Sequence, residues 1–293
     1  MPVVRTTVVV VTWRGAGHVR ACLRGLAAQT RPHRVLVVDN ASEDGSGELA
    51  RAEGVAVVRL ARNAGYAGGI AAVLDDVDTE FVAWLNDDAV PAPDWLAHLE
   101  DALDAGAAAA GARLTRPDGG TQTIGVGLTA LGYGHDRTDG EVFGFCGGAA
   151  LLRVAELRAV GGVPAAFFCY YEDTDTSWRL RLHGHEVVAV PRATAAHAHG
   201  ATARLGSRQF HLWNERNRLL MLARCAPGPV FARELARFAA ITAKVVLRRP
   251  EGANFSPSLR LRVLGQVLVA LPGTRRAGTP EARRRVWARW AGR

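Results

Sequence analysis

Short apolar runs alternate with segments of helical spacing over the first hundred residues of the chain. Each run is typical of a strand buried in a parallel sheet, and the four runs are Thr6–Thr12, Arg34–Asp39, Val55–Leu60 and Phe81–Leu85. The intervening segments Gly17–Gln29 and Gly65–Asp76 have the character of helices. This alternation predicts an α/β fold, a mostly parallel mixed sheet flanked by helices, with a ligand site at the carboxyl ends of the strands.

The pattern is less regular beyond the fourth predicted strand. Residues 106–145 are rich in glycine and are expected to form irregular connections across the front of the sheet. Further elements are indicated in this order: a strand over Phe145–Leu152, a helix over Val154–Val160, an acidic helix after Phe167–Tyr171, a strand over Glu186–Val190, and a turn with His197 and His199. From about residue 207 the pattern is helical, with candidate helices over His211–Ala223, 230–249 and 258–271.

These patterns divide the chain into two parts. We predict an α/β domain over residues 1–203 and a helical, basic C-terminal extension over residues 204–293. The 293 residues are 48% apolar and 22% charged, which excludes a largely disordered chain. The four cysteines form no CxxC pair, and no apolar window reaches the roughly 20 residues that span a bilayer. We therefore expect a cytoplasmic protein with free thiols.

The net charge changes sign along the chain. Residues 1–203 carry 17 Lys and Arg against 24 Asp and Glu, a net charge of −7, whereas residues 204–293 carry 19 against 4, a net charge of +15. A basic segment of this kind favours an anionic partner, either a membrane lipid or a nucleic acid. Arg283–Arg285 with Trp287 and Trp290 have the composition of a helix at an anionic leaflet, and a solvated tail is the alternative. The chain has no recognisable nucleic-acid-binding motif, so a nucleic-acid partner is not expected.

Acidic residues lie where the predicted strands end. Asp39 ends the second strand, and Asp87 and Asp88 follow the fourth. Carboxylates on such a rigid platform are suited to a hard divalent cation such as Mg²⁺ or Mn²⁺. A solvated turn or a helix cap ahead of Pro91 and Pro93 is the alternative interpretation of the acidic pair.

A second acidic cluster opens a predicted helix and consists of Glu172, Asp173 and Asp175. Four aromatic residues flank it: Phe167, Phe168, Tyr170 and Trp178. One interpretation is a partly desolvated carboxylate whose raised pKa suits a general base. The other is a favourable interaction of the acids with the helix dipole. His197, about one strand further on, is either a metal ligand or a hydrogen-bonded structural histidine.

The order of these motifs resembles that of the family 2 glycosyltransferases, particularly the rhamnosyltransferase-like and galactofuranosyltransferase-like members of bacterial cell-wall and polysaccharide pathways. The resemblance covers about residues 5–220 and rests on VVVVTWR (8–14), VVDNASEDGS (37–46), RNAGYAGG (62–69), LNDDAV (85–90), FCGGAALLR (145–153), FFCYYEDTDTSWRLRLHG (167–184) and VPRATAAHAHG (190–200). It implies the GT-A fold, which binds a nucleotide-diphospho-sugar, and an inverting transfer of a hexose.

The resemblance also implies roles for individual residues. Asp39 matches the acid that binds the nucleotide base, and the expected nucleotide-sugar pocket consists of Asp39 with Thr12, Arg14, Arg62, Asn63 and Asp87. Asp88 matches the second acid of the metal motif and His197 a further ligand of the divalent cation. Asn86 stands where the family has the first acid, so Asp87 or a water is expected to complete the coordination.

The remaining expected roles concern the transfer step. Asp173 matches the catalytic base, which takes a proton from the acceptor hydroxyl. The pocket for the sugar or the acceptor is expected to include Gly147, Gly148, Glu172 and Trp178. Arg216 and Arg218 are expected either to reach a phosphate or to form ordinary salt bridges on a helix.

Three function classes are compatible with these features. The leading hypothesis is an inverting glycosyltransferase that uses dTDP-rhamnose or a UDP-hexose. Its acceptor is expected to be a polyprenyl-linked saccharide at the inner face of the plasma membrane, where the basic extension would bind, and a soluble natural product is the alternative acceptor. A sugar-nucleotide-binding scaffold, suggested by Asn86, and a nucleic-acid-binding protein are the other two classes.

Overall fold

The computed structural model describes residues 3–198, 206–248 and 252–292, and over these ranges the chain forms eleven strands and ten α-helices. The strands are β1 (Thr6–Thr12), β2 (His33–Asp39), β3 (Ala56–Arg59), β4 (Phe81–Asn86), β5 (Ala89–Pro91), β6 (Ala109–Thr115), β7 (Thr121–Thr123), β8 (Gly125–Leu128), β9 (Gly134–Arg137), β10 (Ala149–Arg153) and β11 (Val187–His197). The helices are α1 (Val19–Ala27), α2 (Ser46–Ala52), α3 (Gly65–Val73), α4 (Trp95–Asp104), α5 (Val154–Ala159), α6 (Glu172–Leu182), α7 (Arg208–Cys225), α8 (Gly228–Arg248), α9 (Pro257–Ala270) and α10 (Pro280–Trp290).

One mixed sheet organises the fold. Its strand order is β3-β2-β1-β4-β10-β6-β11-β5, with β7 paired to β6. Strands β1, β2 and β4 are parallel, and their register sets Thr12 beside Asp39 and Val11 beside Asn86. The carboxyl ends of these strands therefore meet at one edge of the sheet, as the sequence predicts. The predicted α/β fold is confirmed.

Strand β6 corrects the expectation that residues 106–145 are irregular. It pairs with β10 and β11 inside the sheet, and its alanines Ala109, Ala110 and Ala112 are buried. Alanine and glycine have low strand propensity, but pairing on both sides and packing of the faces override that preference. At Gly111 a Cβ atom would lie 3.1 Å from Cβ of Phe145, so this strand needs small residues for close packing.

Strand β11 is longer than predicted. The predicted strand ends at Val190, but after a register shift between Val190 and Thr194 the pairing with β6 resumes and β11 continues to His197. His197 therefore lies at the end of a strand rather than in a turn, and His199 lies outside the described residues. The predicted strand over Phe145–Leu152 likewise begins only at Ala149.

Apolar side chains fill both faces of the sheet. On β1, Val8 and Val10 contribute to the core under α1 and α4, whereas Val9 and Val11 face the opposite core, because side chains alternate along a strand. The core that contains Val9 and Val11 also includes side chains from the C-terminal helices, among them Leu219, Phe238, Val263 and Val286. Helices α7–α10 thus share a core with the sheet. The boundary expected near residue 204 falls in residues 199–205, outside the described ranges.

The last helix, α10, packs against α6. The indole ring of Trp287 stacks on that of Trp178 with 5.7 Å between centroids, and Trp290 is 8% exposed and contacts the ring of Phe143. The expectation that these two tryptophans form the aromatic tip of a membrane-bound tail is wrong, because both rings contact the core instead. In the described parts of the chain, no helix is long and apolar enough to cross a membrane.

Candidate active site

Asp39 lies at the end of β2 and is fully buried. Its Oδ1 accepts a hydrogen bond of 2.8 Å from the backbone N–H of Ser42, and its Oδ2 accepts one from the guanidinium of Arg59. Arg59 was not predicted as a site residue. The register of β2 with β3, which the sequence does not give, sets it directly beside Asp39. Asp39 thereby fixes the loop after β2, and its charge is balanced by Arg59.

A cavity of about 410 Å³ opens at the carboxyl ends of β1 and β4, and we call it the donor cavity. Of the expected nucleotide-sugar residues, Arg14, Asn63 and Asp87 line it. Thr12 lies behind Asp87 and donates a 2.6 Å hydrogen bond to its Oδ2, whereas Arg62 is exposed and does not line the cavity. The structure therefore brings three of the six expected residues to one cavity.

Aromatic side chains that the sequence analysis did not assign to the donor form another part of this cavity. They are Trp13 after β1, Tyr66 of α3, Phe168, and Trp213 of α7. The rings of Phe168 and Trp213 stack with 4.8 Å between their centroids. The helical periodicity around Trp213 identified α7 but gave no sign that its first turns reach the sheet edge.

Asp87 and Asp88 have different surroundings. Burial raises the pKa of Asp87 to about 6, against the effect of its hydrogen bond from Thr12. Burial also acts to raise the pKa of Asp88, but the hydrogen bond and charge of His197 outweigh it and leave that pKa below its usual value. The two neighbouring carboxylates therefore differ in how readily they hold a proton.

Asp88 and His197 are in direct contact, with 3.0 Å between Oδ1 and Nε2. The antiparallel pairing of β11 with β5 sets His197 opposite Ala89, which explains the contact. The Nδ2 atom of Asn86 lies 3.2 Å from Nε2, and Nδ1 of the ring lies 2.9 Å from Oε1 of Gln122. Within the described residues, no three His, Cys, Asp or Glu side chains are grouped as metal ligands.

Asp173 lies in the first turn of α6. Its Oδ2 accepts a 2.9 Å hydrogen bond from the N–H of Gly147, and its Oδ1 accepts bonds of 2.5 and 3.0 Å from the N–H and hydroxyl of Thr174. The carbonyl of Gly147 in turn accepts a 2.5 Å bond from the hydroxyl of Tyr66. Burial raises the pKa of Asp173. Gly147 therefore joins the carboxylate to a side chain of the donor cavity.

Glu172 is buried beside Asp173. Among the described residues, its Oε2 atom has no hydrogen-bond partner. Burial, together with the negative charge of Asp173, raises the pKa of Glu172 to about 8. The pair thus combines a carboxylate held by backbone and hydroxyl donors with a carboxyl group that stays protonated at neutral pH.

Gly148 lies where β10 approaches β4. Its carbonyl accepts a 3.0 Å hydrogen bond from the N–H of Asn86, and a Cβ atom there would lie 3.0 Å from Cδ1 of Leu114. Trp178 is fully buried in the core and does not line the sugar or acceptor pocket, contrary to expectation. The reason is helical geometry, because five residues at 3.6 per turn carry Trp178 to a different face of α6 from Asp173.

The turn formed by residues 167–171 connects the sheet to α6 and has an unusual backbone. Phe168, Tyr170 and Tyr171 have φ angles of 68°, 70° and 71°, which non-glycine residues rarely adopt. The side-chain amide of Asn217 donates to the carbonyls of this turn at Phe167, Cys169 and Tyr170 over 2.8–2.9 Å. Helix α7 therefore holds the turn that leads directly into Glu172 and Asp173.

The two arginines beside Asn217 have structural partners. Arg216 donates a 2.7 Å hydrogen bond to the carbonyl of Phe167. Arg218 is buried and pairs with Glu215 at 3.0 Å and Glu234 at 3.4 Å. Of the two expectations for these arginines, the structure supports ion pairing and backbone contacts.

The strand order of the sheet and the solved structures that resemble this one define the fold. It is the GT-A fold of nucleotide-diphospho-sugar transferases. The structure is similar to that of the mannosyltransferase PcManGT from Pyrobaculum calidifontis in complex with GDP-Man and Mn²⁺, with a TM-score of 0.57 and 19% identity, over 92% of this chain and 87% of that one. Residues 7–161, more than half of the chain, match the model of glycosyl transferase family 2. The chain belongs to this family.

Two further structures share the fold. GalNAc-T7 with UDP, GalNAc and Mn²⁺ has a TM-score of 0.63 at 12% identity, over 92% of this chain and 57% of that one. Residues 1–349 of TarS from S. aureus, in complex with UDP-GlcNAc, have a TM-score of 0.52 at 16% identity, over 90% of this chain and 71% of that one. No curated protein matches the chain in sequence.

Proposed function

We propose that the protein is an inverting hexosyltransferase that moves a sugar from a nucleotide-diphosphate donor to an acceptor hydroxyl, with Asp173 as the base. One observation carries the proposal: two consecutive glycines link the two halves of the site. Gly147 donates to the carboxylate of Asp173, and Gly148 accepts from the N–H of Asn86, two residues before Asp88. A single displacement requires a base and a diphosphate-binding group held in fixed positions, and this edge of the sheet would hold both.

The donor cavity fits a nucleotide sugar. Its volume of about 410 Å³ lies within the usual range for small-molecule sites, and aromatic rings and polar groups both line it. The complexes of PcManGT with GDP-Man and of TarS with UDP-GlcNAc support a nucleotide-sugar donor. From the sequence motifs we favour dTDP-rhamnose or a UDP-hexose, in keeping with the rhamnosyltransferase-like and galactofuranosyltransferase-like members.

Asp88 and His197 are the residues that would hold a divalent cation, Mg²⁺ or Mn²⁺. The carboxylate of Asp88 fits, because Mg²⁺ is commonly bound through one or two carboxylates together with waters and substrate phosphates. Gln122, 2.9 Å from Nδ1, fixes the ring so that Nε2 faces Asp88. When bound, such an ion supplies Lewis-acid neutralisation of the leaving diphosphate.

The residues of this chain supply the proton transfer. The carboxylate of Asp173 takes the proton of the acceptor hydroxyl as that oxygen attacks the anomeric carbon. Its raised pKa, caused by burial, makes it a stronger base than an exposed aspartate. Since the leaving diphosphate needs no proton, one carboxylate is sufficient, and single displacement inverts the configuration at the anomeric carbon.

We further propose that the acceptor is a polyprenyl-linked saccharide and that the enzyme binds the membrane surface through α8 and α9. The support is a set of exposed apolar side chains at the ends of these helices: Leu247 at 83%, Leu268 at 56% and Val269 at 82%. They lie in the segment with a net charge of +15, which favours anionic lipid. A soluble acceptor is the alternative.

Assays with a panel of nucleotide sugars test this proposal. We expect one donor to release its nucleoside diphosphate faster when a polyprenyl-diphosphate saccharide in mixed micelles is added, and the product sugar to have inverted anomeric configuration by NMR. The same panel with a soluble aglycone tests the alternative, because faster release with the aglycone than with the lipid-linked saccharide would favour a soluble acceptor. Donor binding without turnover under every condition would favour a sugar-nucleotide-binding scaffold instead.

A further inference from the structure

A cavity of about 130 Å³ lies among the C-terminal helices, and we call it the arginine cavity. Helices α7, α8 and α9 and the turn between β8 and β9 form it, and none of its lining residues lines the donor cavity. Its charged lining consists of Glu215, Arg218, Glu234, Arg237 and Arg260. Three cations against two carboxylates leave one net positive charge. The proposed transfer reaction makes no use of that charge.

Arg260 is a buried cation that uncharged groups hold in place. Its side chain is 3% exposed, and its Cζ atom lies 4.0 Å from the centre of the Phe238 ring. Its Nε donates a 3.2 Å hydrogen bond to the hydroxyl of Thr242, and the other two nitrogens donate over 3.4–3.5 Å to the carbonyls of Phe238 and Asn254. These bonds use three of the five N–H groups of the guanidinium. Burial lowers the pKa of Arg260, which shows that its charge is held in an unfavourable environment.

The two carboxylates of the arginine cavity pair with other arginines. Glu215 and Glu234 contact Arg218 at 3.0 and 3.4 Å, and Glu234 also contacts Arg233 at 3.1 Å. In the parts of the chain that the structure describes, no carboxylate forms an ion pair with Arg260. Because a buried charge without a counter-charge is unfavourable, Arg260 is suited to a ligand that brings negative charge.

Two further observations define the chemistry of that ligand. Arg260 lies in the first turn of α9, which contains no acidic residue, although the helix dipole favours an anion at this end and disfavours a cation. Asn254 also lines the cavity, and its Oδ1 atom is buried without a hydrogen-bond partner among the described residues. This oxygen needs a donor, whereas Arg260 needs an anion. A ligand that satisfies both has a negative charge and a hydroxyl hydrogen.

We infer that the arginine cavity binds one phosphate group that keeps a P–OH hydrogen, either inorganic phosphate or a singly ionised phosphate monoester. Its charged oxygens accept from Arg260 and Arg237, and its P–OH donates to Oδ1 of Asn254. A volume of about 130 Å³ is well below that of sites for drug-sized molecules, so the cavity suits a single phosphate rather than a nucleotide. The inference does not depend on the proposed function, because no residue of the donor cavity takes part.

Calorimetric titration of the full chain with inorganic phosphate and with sulfate at pH 7 tests the inference. Sulfate is similar in size but fully ionised, so it has no hydrogen to donate to Asn254. We expect phosphate to bind about tenfold more tightly than sulfate, the effect of one hydrogen bond, and Asn254→Ala to remove this preference. Phosphate at roughly a hundred times its Kd should raise Tm by about 5 °C. Sulfate also controls for stabilisation by exclusion of salt from the surface.

Matched variants assign the binding to the arginine cavity. Arg260→Met removes the buried charge at similar length, and we expect the heat of phosphate binding to be lost. Arg237 is exposed, so Arg237→Gln leaves the core intact and should weaken phosphate binding about tenfold. Lys244→Gln on the same helix and Arg262→Gln on α9 are the controls, because both residues are exposed and neither lines the cavity. Both controls should bind phosphate as the parent protein does.

Vesicles of phosphatidylcholine with either phosphatidic acid or phosphatidylglycerol distinguish the sources of the phosphate, since only phosphatidic acid is a monoester. Sedimentation with phosphatidic acid vesicles that falls in Arg260→Met and on addition of phosphate identifies a lipid headgroup. Equal sedimentation of the parent protein and Arg260→Met, with calorimetric binding of phosphate, identifies free phosphate. Three results would overturn the inference: no heat of phosphate binding in the parent protein, the same Kd in Arg260→Met, or sulfate bound as tightly as phosphate.

Discussion

The side-chain nitrogen of Asn217 lies 2.8 Å from the carbonyl oxygen of Tyr170 and bonds two further carbonyls of the same turn. Tyr170 and its neighbours Phe168 and Tyr171 have left-handed backbone conformations, each of which costs of order 1–3 kcal/mol. Because Glu172 follows at once, the amide of Asn217 sets where α6 begins and where Asp173 points.

We predict that Asn217 positions the base. Asn217→Asp keeps the shape but replaces the amide donor with a carboxylate that repels the three carbonyls. We expect kcat to fall roughly 10²-fold, the effect of a small misplacement of a catalytic group, with donor KM changed much less. The measurement is steady-state kinetics at a temperature where circular dichroism shows full folding. A loss of stability with kcat retained at that temperature would reduce Asn217 to a structural role.

Two carboxylates on α6, two residues apart, are predicted to have different roles: substitution of Asp173 should lower activity, and substitution of Asp175 should lower stability. Asp173→Asn should lower transfer by roughly 10²–10⁴-fold, the usual contribution of a positioned base, with little loss of stability. Asp175 is fully buried and pairs with Arg179 at 2.7 Å and Arg224 at 3.0 Å. Asp175→Asn should therefore cost about 3–5 kcal/mol of unfolding free energy, since it leaves the buried guanidinium of Arg179 without its counter-charge.

Urea unfolding and single-turnover assays on both variants check this contrast. Transfer at the parent rate in Asp173→Asn would show that Asp173 is not the base. Stability equal to the parent in Asp175→Asn would show that the Arg179 pair contributes nothing.

The proposed cation residues give a third prediction. Asp88→Ala and His197→Ala should each raise the concentration of Mn²⁺ needed for half-maximal activity, because each removes one ligand of the same site. Asp94 and His98 form a partly exposed pair at 3.1 Å at the start of α4, so Asp94→Ala and His98→Ala are matched controls. Full activity of the parent protein in excess EDTA would contradict a cation-dependent transfer.

Glu172 gives the stability a predicted pH dependence. Its pKa is about 8 in the folded protein, as a result of burial, against about 4.3 for an unperturbed glutamate. Since the folded state holds this proton more tightly, its contribution to stability is complete below pH 4 and is lost as the pH rises towards 8. We expect Glu172→Gln to remove this loss. Urea unfolding between pH 5 and pH 9 measures it, and parallel curves for the two proteins would show that Glu172 does not titrate in this range.

The proposed membrane surface gives the last prediction. Leu247→Ser with Val269→Ser should reduce binding to vesicles that contain anionic lipid, because it removes exposed apolar contact while the arginines remain. Val3→Ser, at a comparably accessible site (79% exposed) ahead of β1, is the control. Point changes are preferable to truncation, which would strip Phe238 and Val263 from the shared core. Equal sedimentation with vesicles for all variants would favour a soluble acceptor.

The sequence predicted those parts of the fold that follow from local pattern. Thr12, Asp39 and Asn86 meet because parallel strands end at one edge, and that inference needs only apolar runs and polar ends. Strand β6 was missed because its alanines are buried by pairing with strands far away in sequence. The local sequence pattern does not distinguish such an alanine- and glycine-rich strand from a loop.

The site was predicted less completely for the same reason. Asp173 and Gly147 stand out as motifs, but their contact depends on how α6 docks on the sheet. Asn217 reaches the turn across about fifty residues, and its importance is invisible in a helical pattern of polar positions. Proximity to Asp173 in sequence predicts Trp178 in the pocket, whereas rotation along α6 directs its side chain into the core.

The stacked indole rings of Trp178 and Trp287 form an intrinsic spectroscopic probe of how α10 packs against α6. Their planes are 19° apart at 5.7 Å, close enough for the electronic transitions of the two chromophores to couple in circular dichroism. One ring belongs to the helix of Asp173 and the other to the last helix of the chain. Docking or release of α10 is therefore readable as a change in this coupling, without any label, while the donor cavity is being filled.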